Sequence, residues 1–235
     1  MLLLALDTST AQVSVAFGDG GSVIGSVELA GGRRHAEQLA PAIEYLRDQC
    51  GVGFDRLAAI AVGTGPGLFT GLRVGVTTAK VMAQALRIPV VGIGTLDLVA
   101  YPLHHARRDV VAVVDARRKE VFWARYRTVP GGLERMGPEA VDPPHEVVAE
   151  LQAAGTDVLL AGDGVDRYRE VFAAVDHAEL AGPEFSAPSA LALLELAAGR
   201  LEREEFVTPA ELTPVYLRES DAAINWERAQ LRPAS

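Results

Sequence analysis

The densest candidate for chemistry is the run Gly63-Thr64-Gly65-Pro66-Gly67-Leu68-Phe69-Thr70-Gly71-Leu72-Arg73-Val74-Gly75. A glycine-rich turn between a strand and a helix start presents backbone N–H groups that can hold an anion. Two phosphate-binding patterns fail here, however. A phosphate loop closes on Gly-Lys-Ser/Thr, whereas Gly71 is followed by Leu72-Arg73; a dinucleotide fingerprint needs its third glycine where Leu68 stands. The residues by themselves favour a tight structural turn over a phosphate site. Two aspartates come next. Asp7 and Asp115 each close an apolar run, Leu2–Leu6 and Val110–Val114. Glycine beside such a residue lets backbone approach a phosphate, yet Asp7-Thr8-Ser9 and Asp115-Ala116-Arg117 contain none. Asp7 is expected to cap its own hairpin through the carboxylate. Gly162-Asp163-Gly164 reads equally as the edge of an adenosine pocket or as a turn. Asp7, Thr8, Ser9, Asp115, Gly162 and Gly164 are thus candidates for a residual cleft, and no cofactor is expected.

Other chemistries fall away. The five histidines, at 35, 104, 105, 145 and 177, show no metal spacing. His104 and His105 are adjacent, so on a helix they point about 100° apart and chelate poorly. Cys50 stands alone, which excludes an internal disulfide and a cysteine-based zinc site. Ser9, Ser14 and Ser22 lack the setting of a nucleophile elbow. Trp123 and Trp226 are isolated and form no aromatic ladder. A net charge of −9 argues against tight autonomous binding of nucleic acid. The pairs Arg33-Arg34, Arg107-Arg108 and Arg117-Arg118 read as solvated surface, with a local anion patch as the minority reading. No apolar run reaches the length of a membrane span, and the opening residues lack the pattern of a secretory signal. A cytoplasmic protein without membrane contact is expected.

The elements that must position these residues occur twice. Leu2–Leu6 reads as a strand buried on both faces. Val13, Val15 and Phe17 alternate in a second strand, Asp19-Gly20-Gly21 turns, and Val23 to Leu29 returns. A helix is predicted over Arg34–Gln49 with Pro41 inside it, then a strand at Leu57–Val62 broken at Gly63, a helix over Gly71–Leu86, a strand at Pro89–Ile93 and a short helix over Thr95–His104. The order then restarts. Val110–Val114 ends in Asp115, Val121 and Trp123 take the places of Val13 and Val15, and Pro130-Gly131-Gly132 turns before Leu133–Met136. Asp7 to Asp115 and Val13 to Val121 share an offset of 108 residues. Helices near Pro144–Ala153 and Asp166–Ala174, a strand at Val158–Ala161 and a helix from Ser186 to Leu201 follow. A Pro-punctuated tail, Thr208–Glu219, and a frayed end, Leu231–Ser235, are expected. This α/β pattern predicts the actin, Hsp70 and sugar-kinase fold: two ribonuclease-H-like halves, residues 1–108 and 109–235, with hairpins after the first strand of each half facing a cleft.

Gly71, Gly75, Ala79 and Ala83 recur every four residues and make a nearly flat stripe. The stripe suits close packing on the chain's own sheet or close contact with a second chain. The run Gly65 to Gly75, Ala79-Lys80, Pro89–Ile93, the opening Leu4-Ala-Leu-Asp7-Thr8-Ser9-Thr10, Arg34-His35-Ala36-Glu37 and Pro214-Val-Tyr-Leu-Arg218 resemble the TsaB family. That resemblance implies a non-catalytic subunit of the machinery that forms N6-threonylcarbamoyladenosine at position 37 of tRNA. The chain would bind and activate a TsaD-type catalytic subunit, with a TsaE-type ATPase docking on the pair and tRNA met only through the complex. TsaD-type chains place two metal-binding histidines where Thr95 and Val99 stand here, so no metal is implied. The resemblance also implies an interface built from the first two helices, with His35, Leu39, Ile43, Gly71, Leu72, Gly75, Thr78, Ala79, Met82 and Ala83 as candidates. A homodimer would use the same surface when the partner is absent. The alternative is an actin-fold ATPase or phosphotransferase acting alone.

Overall fold

The computed structural model describes residues 1–218 apart from Gly21, Gly31 and Arg33. Gly21 of the first turn, Arg33 of the arginine pair, Trp226, the end of the expected tail at Glu219 and the segment Leu231–Ser235 lie outside the described residues. The run Leu2–Leu6 has no polar position, and its strand, β1 (Leu2–Asp7), is buried throughout. β2 (Gln12–Asp19) and β3 (Ser22–Ala30) follow as an antiparallel meander, with Val13, Val15 and Phe17 sharing one buried face. Helix α1 (His35–Cys50) runs through Pro41 without interruption and turns Leu39, Ile43 and Leu46 inward. β4 (Leu57–Gly65) then pairs parallel with β1, helix α2 (Phe69–Leu86) follows, and β5 (Val90–Gly94) pairs parallel with β4. The sheet order is β3-β2-β1-β4-β5.

The same order is built again after α3 (Thr95–Ala100) and a 3₁₀ turn at Tyr101–Leu103. β6 (Asp109–Arg117), β7 (Glu120–Val129) and β8 (Gly132–Arg135) form the second meander; β9 (Ala140–Asp142) pairs with the start of β7. Helix α4 (Pro144–Ala154) leads to β10 (Val158–Ala161), which lies parallel to β6. Helices α5 (Asp163–Arg167) and α6 (Arg169–Phe172) lead to β11 (Ala178–Leu180), parallel to β10. Helix α7 (Ala190–Glu202) completes the set.

Several local expectations are corrected. The glycine-rich segment does not break β4 at Gly63; the strand continues to Gly65. The helix expected over Asp166–Ala174 is two short helices that meet at Tyr168. The last helix begins at Ala190, because Ser189 rather than Ser186 caps it: the Ser189 hydroxyl oxygen accepts from the Leu191 N–H at 3.2 Å.

The chain boundary at 108/109 marks the start of β6 but does not separate the cores. Odd-numbered residues of β1, Leu3 and Ala5, face away from α1 and α2, and α7 covers them with Leu193 and Ala197. In exchange, α3 lays Leu96, Val99 and Ala100 on Val110, Ala112 and Val114 of β6. Each half therefore buries a helix supplied by the other.

The small-residue stripe on α2 packs on the chain's own sheet. A Cβ at Gly71 would lie under 3.0 Å from the Thr8 carbonyl oxygen, and one at Gly75 under 3.0 Å from the Thr8 hydroxyl. The Thr8 hydroxyl instead donates to the Gly71 carbonyl at 2.7 Å. Ala79 and Ala83 are fully buried below. Two interior glycines cost about 2 kcal/mol relative to alanine. Burying Leu72 and Val76 beside them returns about 1.5–3 kcal/mol each, so packing outweighs propensity. Gly75→Leu is accordingly expected to destabilise the isolated chain by about 3 kcal/mol or more through overpacking. Urea unfolding checks this, and a wild-type midpoint for a folded Gly75→Leu chain would contradict it.

Candidate functional site

The two repeated aspartates make the same local turn. The Asp7 carboxylate accepts from the Ser9 N–H at 3.0 Å and from the Ser9 hydroxyl at 2.9 Å. Asp115, 108 residues on, accepts from the Arg117 N–H at 3.0 Å. A carboxylate bonded to the N–H two residues along is the Asx turn expected where a strand must reverse. Asp7 does cap its hairpin, and the repeat extends to hydrogen-bond detail.

The surroundings of the two turns differ. Thr8, Ser9 and Thr10 are all buried. The glycine-rich loop lies directly on them: the Leu68 N–H donates to the Ser9 carbonyl at 2.7 Å, and Gly67 approaches that carbonyl too closely for any Cβ. His35 closes the far side, its Nε2 sitting 2.7 Å from the Thr10 carbonyl. The second carboxyl oxygen of Asp7 presses on Gly63, where a Cβ would collide with it. That oxygen has no hydrogen-bond partner among the described residues. Burial pushes the Asp7 carboxyl up to about 6, against the two bonds from Ser9 that pull it down.

The second turn is open. A cleft of about 560 Å³ separates the first turn of α2 from the β6–β7 hairpin, with residues 215–218 as its third wall. Asp115 lines it and is held by Arg117 at 2.9 Å and Arg167 at 3.3 Å. Asp163, at the start of α5, accepts from the Asp115 N–H at 2.8 Å. Its carboxyl is raised to about 6, chiefly by burial, with the Asp115 charge adding to the rise. Arg117, Arg118 and Lys119 at the hairpin tip all have positive φ, 64°, 54° and 65°.

Of the six candidates for a residual cleft, only Asp115 lines it. Asp7, Thr8 and Ser9 are sealed beneath the glycine-rich loop. Gly162 and Gly164 pack against Val113 of β6, where a Cβ would fall under 3.0 Å from that residue; their role is helix–strand contact. Asp163, between them, carries the polar contact and was missed, although its flanking glycines pointed at it. Phe122, also on the cleft wall, carries no signal in the linear sequence, whereas Arg118 belongs to an arginine pair and Arg218 closes the segment from Pro214.

Thr95 and Val99 are buried in α3 and offer no ligand pair. His104 stacks on Tyr101, and its Nδ1 lies 2.7 Å from the Tyr101 carbonyl. Among the described residues no group of three His, Cys, Asp or Glu could hold a metal ion, and no helix is long and apolar enough to cross a membrane.

His35, Leu39, Ile43, Gly71, Leu72, Gly75, Ala79 and Ala83 are buried within the chain's own fold, and Thr78 and Met82 are half-buried. The outer faces of the same helices carry Pro41, Glu44 and Tyr45 on α1 and Arg73, Thr77 and Val81 on α2. Tyr45 is 58% exposed and Val81 61%.

The family model described as "TsaD: tRNA N6-adenosine threonylcarbamoyltransferase" matches residues 26–226. Two relatives named tRNA threonylcarbamoyladenosine biosynthesis protein TsaB align nearly end to end. That of Haemophilus influenzae is 32% identical over 97% of this chain and 97% of its own length. That of Escherichia coli is 30% identical over 94% and 96%. The chain belongs to the TsaB family. The solved structure of YeaZ from Pseudomonas aeruginosa superposes with a TM-score of 0.80 at 37% identity, covering 92% of this chain and 99% of that one. The ethanolamine utilization protein EutJ from Carboxydothermus hydrogenoformans, 8% identical with a TM-score of 0.50, shares the fold alone. The architecture is the actin-like, sugar-kinase-like fold that the repeat predicted.

The buried carboxyl of Asp7 gives this chain a measurable pH signature. An acid whose pKa rises from 3.8 to about 6 on folding holds an extra proton in the folded state between those values. Its contribution is therefore unfavourable above about pH 6 and vanishes below about pH 4. Asp7→Asn is expected to flatten the fall in stability between pH 4 and 6. Urea midpoints across that range check this; parallel curves for the two proteins would contradict the assignment.

Proposed function

We propose that this chain is the non-catalytic partner subunit in the formation of N6-threonylcarbamoyladenosine in tRNA. It recruits and activates a TsaD-type catalytic subunit, and a TsaE-type ATPase docks on the pair. The observation that carries this reading is the sealed Asp7 hairpin. Phosphate transfer in a cleft between two hairpins needs backbone donors or metal-holding carboxylates aimed at the phosphates. Here the first contributes neither, because Gly67 and Leu68 occupy its approach and its carboxylate points at Gly63. Asp115, the remaining carboxylate, is neutralised by two arginines. A stand-alone ATPase or phosphotransferase would lack a base and a metal ligand on one wall.

The partner surface is the exposed face of α1 and α2 rather than the small-residue stripe. Tyr45 and Val81 are large apolar side chains left in solvent on neighbouring helices. Aromatic anchors of this kind carry much of the energy of an interface. The same face accounts for a homodimer when the partner is absent.

Tyr45→Ala and Val81→Glu are each expected to weaken association with the catalytic subunit tenfold or more, with unchanged circular dichroism and urea midpoint. Calorimetric titration of the two purified subunits checks this, and wild-type affinity in both variants would remove the surface from consideration. Titration with ATP and magnesium separates the two functional classes: stoichiometric binding with turnover by the lone chain would overturn the partner reading.

A further inference from the structure

We propose that Arg73 is a preformed receptor for one carboxylate of the protein that docks on the outer face of α1 and α2. The inference rests on the partner reading above and names the chemistry that the partner must present there.

α1 and α2 carry three lysine or arginine side chains between them. Arg47 pairs with Asp48 at 2.6 Å, and the Lys80 ammonium donates to the Ala210 and Leu212 carbonyls at 3.3 and 2.9 Å. Among the described residues Arg73 has no acid within ion-pair reach; its hydrogen bond runs from Nε to the Tyr216 hydroxyl oxygen at 3.4 Å.

The guanidinium is held all the same. Its carbon lies 3.9 Å over the Phe69 ring, and Phe69 meets Tyr216 with ring centroids 5.2 Å apart. Tyr216 is fixed in turn, because the Val215 N–H donates to the Thr64 carbonyl at 2.7 Å and Arg218 pairs with Glu120 at 2.7 Å. Stacking occupies a flat face of the guanidinium and leaves the N–H groups in its edge. With Nε turned to Tyr216, Nη1 and Nη2 remain as an end-on fork that matches the two oxygens of a carboxylate. A freely rotating arginine gives up rotamers to form such a pair, whereas Phe69 and Tyr216 have already restricted this one.

The surroundings choose the ligand. Phe69, Arg73, Thr77 and Val81 follow at four-residue spacing and so lie along one face of α2. Val215 and Tyr216 leave apolar surface at one end of that line, and Val81 does so at the other. A carboxylate carried in on a protein with apolar groups around it is desolvated on docking, and truncating a pair of that kind is costly. A free phosphate finds no pocket, since Arg73 is outside the cleft wall. Exposed Glu37 and Glu44 on α1 oppose a polyanion.

Calorimetric titration of the full chain with the catalytic subunit, at low and at high salt, tests this. Arg73→Gln is expected to weaken association at least tenfold and to flatten its dependence on salt, with an unchanged urea midpoint. Arg73→Lys keeps the charge but not the fork and is expected to lose at least fivefold. The partner's surface aspartates are then replaced by asparagine and its glutamates by glutamine, one at a time. One acid is expected to cost as much as Arg73→Gln and to cost nothing further in the Arg73→Gln background. Additive losses at every acid, wild-type affinity in either Arg73 variant, or competition by inorganic phosphate but not by acetate would each overturn the proposal. So would a loss confined to self-association of this chain, read by sedimentation, because the acid would then belong to a second copy. Failure of the wild-type chain to bind the catalytic subunit removes the partner reading itself; wild-type binding that Arg73→Gln leaves intact removes this inference alone.

Discussion

The close approach of α2 to the end of β1 governs the rest of the site. Gly71 and Gly75 let the helix lie on Thr8 without an intervening side chain, and the Thr8 hydroxyl bonds back to the Gly71 carbonyl. Once the helix is there, the loop that feeds it must cross the β1–β2 turn. It does so with Gly67 against the Ser9 carbonyl and the Leu68 N–H bonded to it. The first hairpin is thereby closed, Asp7 is enclosed with it, and burial raises its carboxyl. One packing decision on α2 encloses this turn in the core.

The second half started from the same plan and ended differently. Its Asx turn at Asp115 repeats that at Asp7, but β10 passes directly into α5 through Gly162, with no long loop to fold over the hairpin. Gly164 lets α5 sit on Val113, and Asp163 is sent to the Asp115 N–H. The hairpin tip is left outside, where charged side chains are well solvated. Among the described residues Asp7 has no ion-pair partner, while Asp115 faces Arg117 and Arg167. Two turns with the same backbone bonds thus carry opposite electrostatics, because their neighbours differ.

The sequence was most legible where local chemistry alone decides. The unbroken apolar run of β1, the alternation of Val13, Val15 and Phe17 and the capping role of Asp7 each depend on a few adjacent residues. The 108-residue offset held to the level of hydrogen bonds. The stripe Gly71–Gly75–Ala79–Ala83 was less legible: periodicity shows that these residues share a face, but a flat face suits the chain's own sheet as well as another chain. Ser186 and Ser189 both flank Pro188, and only the three-dimensional path shows whose hydroxyl meets a helix N–H. The strands β9 and β11, three residues each, are too short for any period. The arginine pair at 117 and 118 read as surface because its cleft is assembled from residues 66–71 and 215–218, distant in sequence.

The exchange of α3 and α7 limits what the cleft can do by motion. Asp97 on α3 accepts from the Tyr126 hydroxyl at 2.9 Å and from Arg135 at 2.6 Å, both on the second sheet. Burial, followed by the charge of Asp97, drives the Tyr126 hydroxyl far above its usual range, so it stays a donor at any physiological pH. On the other side, Arg200 of α7 donates to the Gly92 carbonyl at 2.7 Å. Opening the halves would strip α3 and α7 from the sheets that bury them. A ligand drives closure only as far as it binds the closed state better than the open one. A ligand that moves the two sheets relative to one another must therefore offset the loss of the α3 and α7 contacts.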